Sequence, residues 1–171
     1  AGQGGAIYSE GDVVISGNPT FSGNIVAADV GGAIYAYNNV IISGSPTFEG
    51  NKASNHGGAV YAKNIIITGS PTFEGNTAGS NGGAIYAKET VTIGNSSFIS
   101  NKASVSSGGA IYSTKDVTID GAGSLFENNS AGAGGGAICT TGGNVTVGRE
   151  TSFTSNTAYG DGGAIYCLAT V

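Results

Sequence analysis

One phrase, Gly-Gly-Ala followed by a β-branched residue, begins at Gly4, Gly31, Gly57, Gly82, Gly108, Gly135 and Gly162. Successive copies are 27, 26, 25, 26, 27 and 27 residues apart. A second phrase, Phe-x-x-Asn, alternates with it at Phe21/Asn24, Phe48/Asn51, Phe73/Asn76, Phe98/Asn101, Phe126/Asn129 and Phe153/Asn156. A period held this closely across 171 residues restricts the chain to folds in which one small unit stacks on copies of itself. Each unit carries an apolar side that only its neighbours can bury.

The period from Gly57 to Gly82 shows what the unit is. Gly57–Ala62 reads as a tight corner running into a strand, and Lys63–Asn64 turn the chain. Ile65–Ile67 make a second strand, Thr68–Pro71 turn it again, and Thr72–Glu74 make a third. Three short strands bounded by Gly, Asn and Pro, with no stretch of helical periodicity, predict a coil of β-strands. Each strand should pair in parallel with its equivalent one rung away. Because parallel crossovers are right-handed in nearly all cases, the expected fold is an all-β, right-handed parallel β-helix. With strands ~4.8 Å apart, six and a half rungs make a rod of roughly 31 Å.

The columns of the repeat divide into faces. In the second strand the outer pair is apolar in all six repeats, from Val13/Ile15 to Val145/Val147, while the middle residue drifts from Val14, Ile41 and Ile66 to Thr92, Thr118 and Thr146. Side chains alternate across a strand, so the outer pair points in and the middle residue out. By the same rule Ile7, Ile34, Val60, Ile85, Ile111, Ile138 and Ile165 point in, together with the small residue two further on. The Phe column supplies the third wall. Behind it Val26, Ala53, Ala78, Ala103, Ala131 and Ala158 give small filling.

Two further columns are chemically distinctive. Asn24, Asn51, Asn76, Asn101, Asn129 and Asn156 form an unbroken polar line at a corner. Asn tolerates left-handed backbone and its amide bonds to neighbouring chain or to the next Asn, so a structural ladder is expected rather than a row of ligands. Tyr8, Tyr35, Tyr61, Tyr86, Tyr112 and Tyr166, interrupted by Cys139, are expected as an exposed aromatic column. They read either as a strip that binds sugar or protein, or as a stabilising aromatic ladder. The opposite phasing of that strand would put them in the core.

No catalytic, metal or cofactor site emerges. His56 is the lone His and Arg149 the lone Arg, so no triad, zinc site or basic–acidic lyase cluster can be assembled. Glu49, Glu74 and Glu127 share a column, with Lys52, Lys102, Lys63 and Lys88 nearby, as on an ordinary solvated surface. Cys139 and Cys167 are 28 residues apart against a local repeat of 27. They fall one column out of step, on opposite faces, and read as free thiols with Cys167 in an inward slot. Six Lys+Arg against eleven Asp+Glu argue against a nucleic-acid partner, whose recognition rests on clustered cations. No apolar run reaches the roughly 18 residues that span a bilayer, so membrane insertion by this segment is not expected.

With both phrases placed, the chain resembles the chlamydial polymorphic membrane proteins, autotransporter-type surface proteins whose passengers repeat Gly-Gly-Ala-(Ile/Leu/Val) and Phe-x-x-Asn. The resemblance covers essentially the whole chain. It implies a β-helical passenger displayed on the outer membrane and adhering to a host-cell surface protein or glycan. The expectation is therefore a single β-helix repeat domain over residues 1–171, part of a longer extracellular or cell-surface protein, acting as a non-enzymatic adhesin segment. Alternatives are the subunit of a head-to-tail extracellular filament and a fragment of a β-helical polysaccharide lyase or hydrolase. An ice-binding face would need a full outward Thr ladder, and Thr92, Thr118 and Thr146 are only half of one. Neither Ala1 nor Val171 looks like a cap, so either the solenoid continues or copies stack end to end.

Overall fold

The computed structural model describes residues 2–169. Ala1 and Val171, on which the expectation about the ends rests, lie outside the described residues. The described chain is a β-solenoid with no helix, its strands arranged in parallel sheets that run from the first rung to the last. One rung comprises Val60–Ala62, Asn64–Ile67, Thr72–Glu74 and Thr77–Ala78. These strands belong to four sheets, which we call the Tyr, Ile, Phe and Ala sheets after the residues that mark them. The Tyr sheet has seven strands and the others six each among the described residues. The expected three strands are thus joined by a fourth, of two residues. The column read as small filling also carries backbone pairing, as in Ala53↔Ala78↔Ala103. The backbone of the residue before each alanine lies against the second glycine of the Gly-Gly corner, as Thr77 does against Gly58.

Every strand pairs with its own equivalent, without slippage: Ile34↔Val60, Ile65↔Val91, Phe73↔Phe98 and Ala78↔Ala103. In-register stacking places like on like, so the core consists of columns. Phe48, Phe73, Phe98 and Phe126 are fully buried. Their rings stack nearly parallel, with centroids 4.6–4.9 Å apart, from Phe21 through to Phe153. Ile34, Ile65, Ile67, Ile85, Ile93, Ile111 and Ile119 complete the interior. Val14 and Ile66, the middle residues of Ile-sheet strands, are exposed as the alternation requires.

The two glycines of each Gly-Gly corner are needed for different reasons. The first has left-handed backbone: Gly57 lies at φ 64°, and the equivalent glycines lie between 65° and 70°. The second is held open by close approach. A Cβ on Gly58 would sit 2.0 Å from the carbonyl oxygen of Gly83 in the next rung and 2.7 Å from the backbone of Thr77 in the Ala sheet. The rung closes here, backbone against backbone. A third left-handed position precedes each ladder Asn. Gly23, Gly50 and Gly75 occupy it in the first three rungs, but Ser100, Asn128 and Ser155 adopt the same conformation in the later ones.

These features separate three kinds of cost in thermal unfolding followed by circular dichroism. Phe73→Ala lowers stability by about 3–5 kcal/mol through lost burial and a cavity. Gly75→Ala, which meets no atom within 4 Å, costs only the left-handed penalty of about 1–2 kcal/mol. Gly58→Ala costs more than Gly75→Ala, and Ser155→Gly raises the melting temperature. Equal melting of Gly58→Ala and Gly75→Ala would contradict the close-approach argument.

Candidate functional site

The asparagine column turns the corner between the Phe and Ala sheets, and its amides form a continuous ladder. Asn76 Nδ2 donates to Asn101 Oδ1 at 3.0 Å and to the Phe48 carbonyl at 2.9 Å. Its own Oδ1 accepts from the Asn51 backbone N–H at 3.0 Å and from Asn51 Nδ2 at 2.9 Å. The pattern recurs from Asn24 to Asn156. Asn51, Asn76, Asn101 and Asn129 are fully buried, so each amide uses both donors and both acceptor sites inside the protein. A column consumed in this way has nothing left with which to hold a ligand.

A second polar column was not singled out from the sequence. Asp12, Asn39, Asn64, Thr90, Asp116 and Asn144 each stand at or immediately before the start of an Ile-sheet strand, and side chains of this column link rungs at the corner after the Tyr sheet. Asp12 Oδ1 accepts from Asn39 Nδ2 at 2.9 Å, Asn39 Oδ1 from Asn64 Nδ2 at 3.0 Å, and Asn64 Oδ1 from Thr90 Oγ1 at 2.9 Å. The signal was present as a polar residue immediately before every Val/Ile-x-Ile/Val triplet.

The tyrosines lie on the outer side of the Tyr sheet. Tyr8, Tyr35, Tyr61, Tyr86 and Tyr112 stack in succession with centroids 4.9–5.5 Å apart. The column is less exposed than expected. Tyr8, at 55%, is open, but Tyr35 is only 7% exposed, and Tyr61, Tyr86, Tyr112 and Tyr166 are half-buried. Faces are covered by the neighbouring rings, and edges by the adjoining turns. His56 packs 4.6 Å from Tyr86, and Lys88 Nζ lies 5.2 Å from the Tyr61 ring centroid. Burial pushes the Tyr61 hydroxyl up to about 12, with the Tyr86 and Tyr35 hydroxyls adding to the effect, and raises Tyr35 and Tyr86 in the same direction. Burial lowers His56, whose Nδ1 accepts the Asn81 backbone N–H at 3.3 Å.

Cys139 interrupts the column and is nearly fully buried. Its register partner is Tyr166, while Cys167 pairs with Thr140, so the two cysteines do fall on opposite faces. The two are not joined by a disulfide. Cys167 packs against the core and donates to the Gly143 carbonyl at 3.2 Å. Burial pushes the Cys139 thiol up to about 11 against a lowering hydrogen bond from Ser107, so it is a poor nucleophile at neutral pH.

Lys63, Lys88, Glu89 and Lys115 gather at the turn between the Tyr and Ile sheets. Glu89 pairs with Lys63 at 3.9 Å and with Lys115 at 3.5 Å. Lys88 lies over the rings of both Tyr61 and Tyr37, and Tyr37 is itself 57% exposed. Lys52 and Lys102, by contrast, stand exposed on the Ala sheet with Thr77 between them in register. Among the described residues no group of three or more His, Cys, Asp or Glu side chains could hold a metal ion.

The sequence profile of the Chlamydia polymorphic membrane protein repeat matches six segments, residues 20–37, 47–63, 72–88, 95–114, 123–141 and 150–168. The chain belongs to this family. Each PMP repeat starts at or just before a Phe-sheet strand and runs through the ladder Asn, the Ala-sheet strand, the Gly-Gly corner and the Tyr-sheet strand. The matched segments leave out the Ile sheet, so the family pattern coincides with the two ladders and the corner joining them. PMP repeats mark a bacterial outer-membrane or surface protein. No curated protein and no solved structure matches the chain.

Two measurements check this geometry. Asn76→Asp sets a carboxylate oxygen against the Phe48 carbonyl and Asn101 Oδ1, so it destabilises more than Asn76→Ala at neutral pH. Its buried carboxyl has a raised pKa. Protonation therefore restores stability below the unfolded carboxyl value of about 3.9, and that stability is lost again as the pH rises. Insensitivity of this variant to pH would contradict a buried amide ladder. In the unsubstituted protein, Tyr61 makes the folded state bind its proton more tightly than the unfolded state. Stability is whole below the unfolded tyrosine value of about 10 and falls as the pH rises beyond it. Tyr61→Phe flattens that alkaline slope in urea melts; an unchanged slope would contradict the burial of its hydroxyl.

Proposed function

We propose that this chain is a non-enzymatic passenger segment of a bacterial surface adhesin, a stiff rod that carries a recognition surface for a host-cell protein or glycan. The observation that carries the proposal is the separation of roles between columns within a PMP-family repeat. The Phe and Asn columns are consumed by stacking and hydrogen bonding inside the protein, while the Tyr sheet presents aromatic edges and one charged turn to the outside. Stacked amides and rings resist bending and shear between rungs, which suits a stalk that must hold a binding face away from a membrane. Aromatic side chains bring large amphipathic area at low cost in side-chain entropy, which suits recognition.

Binding of the fluorescently labelled segment to cultured animal cells tests this. The expected result is saturable binding that unlabelled segment competes away and that falls when Tyr8, Tyr37 and Tyr112 are changed together to Ser. Non-saturable binding, or binding indifferent to those changes in a variant that still folds, would count against it. Release of reducing or unsaturated sugars from a polyuronide panel would overturn the non-enzymatic part of the reading.

A further inference from the structure

The third rung has the shortest turn between the Tyr and Ile sheets. Tyr37 and Asn38 lie between Ala36 and Asn39, and Lys88 and Glu89 lie between Ala87 and Thr90. Between them Lys63 alone joins Ala62 to Asn64. Register is kept on both sides, with Tyr35↔Tyr61, Ala62↔Ala87, Asn39↔Asn64 and Ile65↔Val91 all paired. The single residue is therefore stretched over an arc that two residues fill in its neighbours. The Asn38 carbonyl accepts from both Lys63 N–H, at 2.7 Å, and Asn64 N–H, at 3.4 Å. A notch opens above this turn, a cleft of about 260 Å³ lined by Tyr37, Asn38, Lys63, Lys88 and Glu89.

The notch has an uneven charge. Lys63, Lys88 and Lys115 are three of the six cationic side chains in a chain of net charge −5, and they surround the single carboxylate of Glu89. Lys88 makes neither of the two ion pairs formed among the described residues. Instead its Nζ hangs between the Tyr37 ring, 5.4 Å away, and the Tyr61 ring, 5.2 Å away. It is a cation held in place by π faces, with its charge not cancelled by a partner. On the other side of Tyr37 lies a second cleft, of about 400 Å³, lined by Tyr8, Glu10, Tyr35 and Tyr37. Tyr37 is the wall between a basic notch and a neutral-to-acidic one.

We propose that this pair of clefts binds an acidic glycan in which a carboxylated or sulfated sugar adjoins a neutral one. The proposal rests on the adhesin reading and names its ligand class. The acidic sugar enters the notch with its anion at Lys88 and Lys63. The neutral sugar lies against Tyr8 and Tyr37, where the Glu10 carboxylate accepts from its hydroxyls. The exposed Tyr37 offers apolar surface to the C–H face of a pyranose, and a charge-assisted hydrogen bond from Lys88 fixes the orientation. The Glu10 carboxylate in the second cleft disfavours a uniformly sulfated chain.

The test titrates the folded segment with a hyaluronan tetrasaccharide, a non-sulfated chondroitin tetrasaccharide and neutral cellotetraose, followed by chemical shifts of the Tyr37, Lys63 and Lys88 amides. Expected are saturable shifts with the two acidic glycans that weaken with added salt, and none with cellotetraose. Lys88→Gln and Tyr37→Ala each weaken binding by about tenfold or more, a difference of about 1.4 kcal/mol. Lys102→Gln, the same charge change on the Ala sheet, leaves it unchanged. Melting of each variant confirms that it folds. Absence of saturable shifts, equal binding of cellotetraose, or an equal loss from Lys102→Gln would overturn the assignment. Cell binding that survives both Lys88→Gln and enzymatic removal of hyaluronan and chondroitin chains would point to a protein ligand. That result would sink the glycan inference and leave the adhesin proposal standing.

Discussion

Parallel, in-register stacking requires each residue to sit over its own equivalent, one strand spacing away, and everything else in this molecule depends on that constraint. A polar group that recurs buried at the same position in every rung tolerates it when it can bond to copies of itself. A primary amide meets this condition because it carries donors on one side and acceptors on the other. Asn51, Asn76, Asn101 and Asn129 accordingly run head to tail through the solenoid and are fully buried without an orphaned atom. A carboxylate or an ammonium could not repeat in this way, since each would face its own like charge. The phenylalanines obey the same rule in apolar form, ring over ring.

Because the columns are so regular, the surface acquires individuality only where the perimeter of a rung changes. The buried strands pair with no slippage through all the rungs, so insertions and deletions are forced into the turns. A residue is missing between Ala62 and Asn64, and the result is the notch beside Tyr37. Extra residues before Leu125 bring left-handed Gly123 into an otherwise standard turn, with Ser124 bonding back to the Gly94 carbonyl at 2.8 Å. At Cys139 a small side chain replaces a ring, and a cleft of about 290 Å³ appears nearby, between Ser107, Gly134, Asp161 and Tyr166. A rigid repeated scaffold with variable turns keeps stability and recognition in separate residues, as in other solenoids.

The closure at the Gly-Gly corner explains why the family pattern is anchored there. Gly32, Gly58, Gly83, Gly109 and Gly136 each stand within 2.0 Å, measured from a would-be Cβ, of the next rung's glycine carbonyl. At the same time they abut the Ala-sheet backbone. No other residue type fits this double contact, so the corner repeats strictly. In the Ile sheet, by contrast, the outward residue passes from Ile66 to Thr92 while the inward pair stays apolar.

The sequence by itself determined the solenoid. Its period, the inward alternation of Val and Ile, the Phe wall and the Asn column all follow from rules that act between neighbours along a strand or across one strand spacing, and one rung's worth of residues contains them. Even the opposite facing of Cys139 and Cys167 follows from counting. Tertiary structure alone decided how much of each outward side chain remains accessible. Tyr8 and Tyr35 occupy the same column and the same strand position, yet one is open and the other closed. Tyr8 has a stacked ring on one side, whereas Tyr35 lies between the rings of Tyr8 and Tyr61. It decided likewise that the Ala column would pair as a fourth strand, and that Lys88 would reach back across a shortened turn to lie between two rings. Such contacts join side chains from different rungs across turns of unequal length, and no periodic rule carries that information.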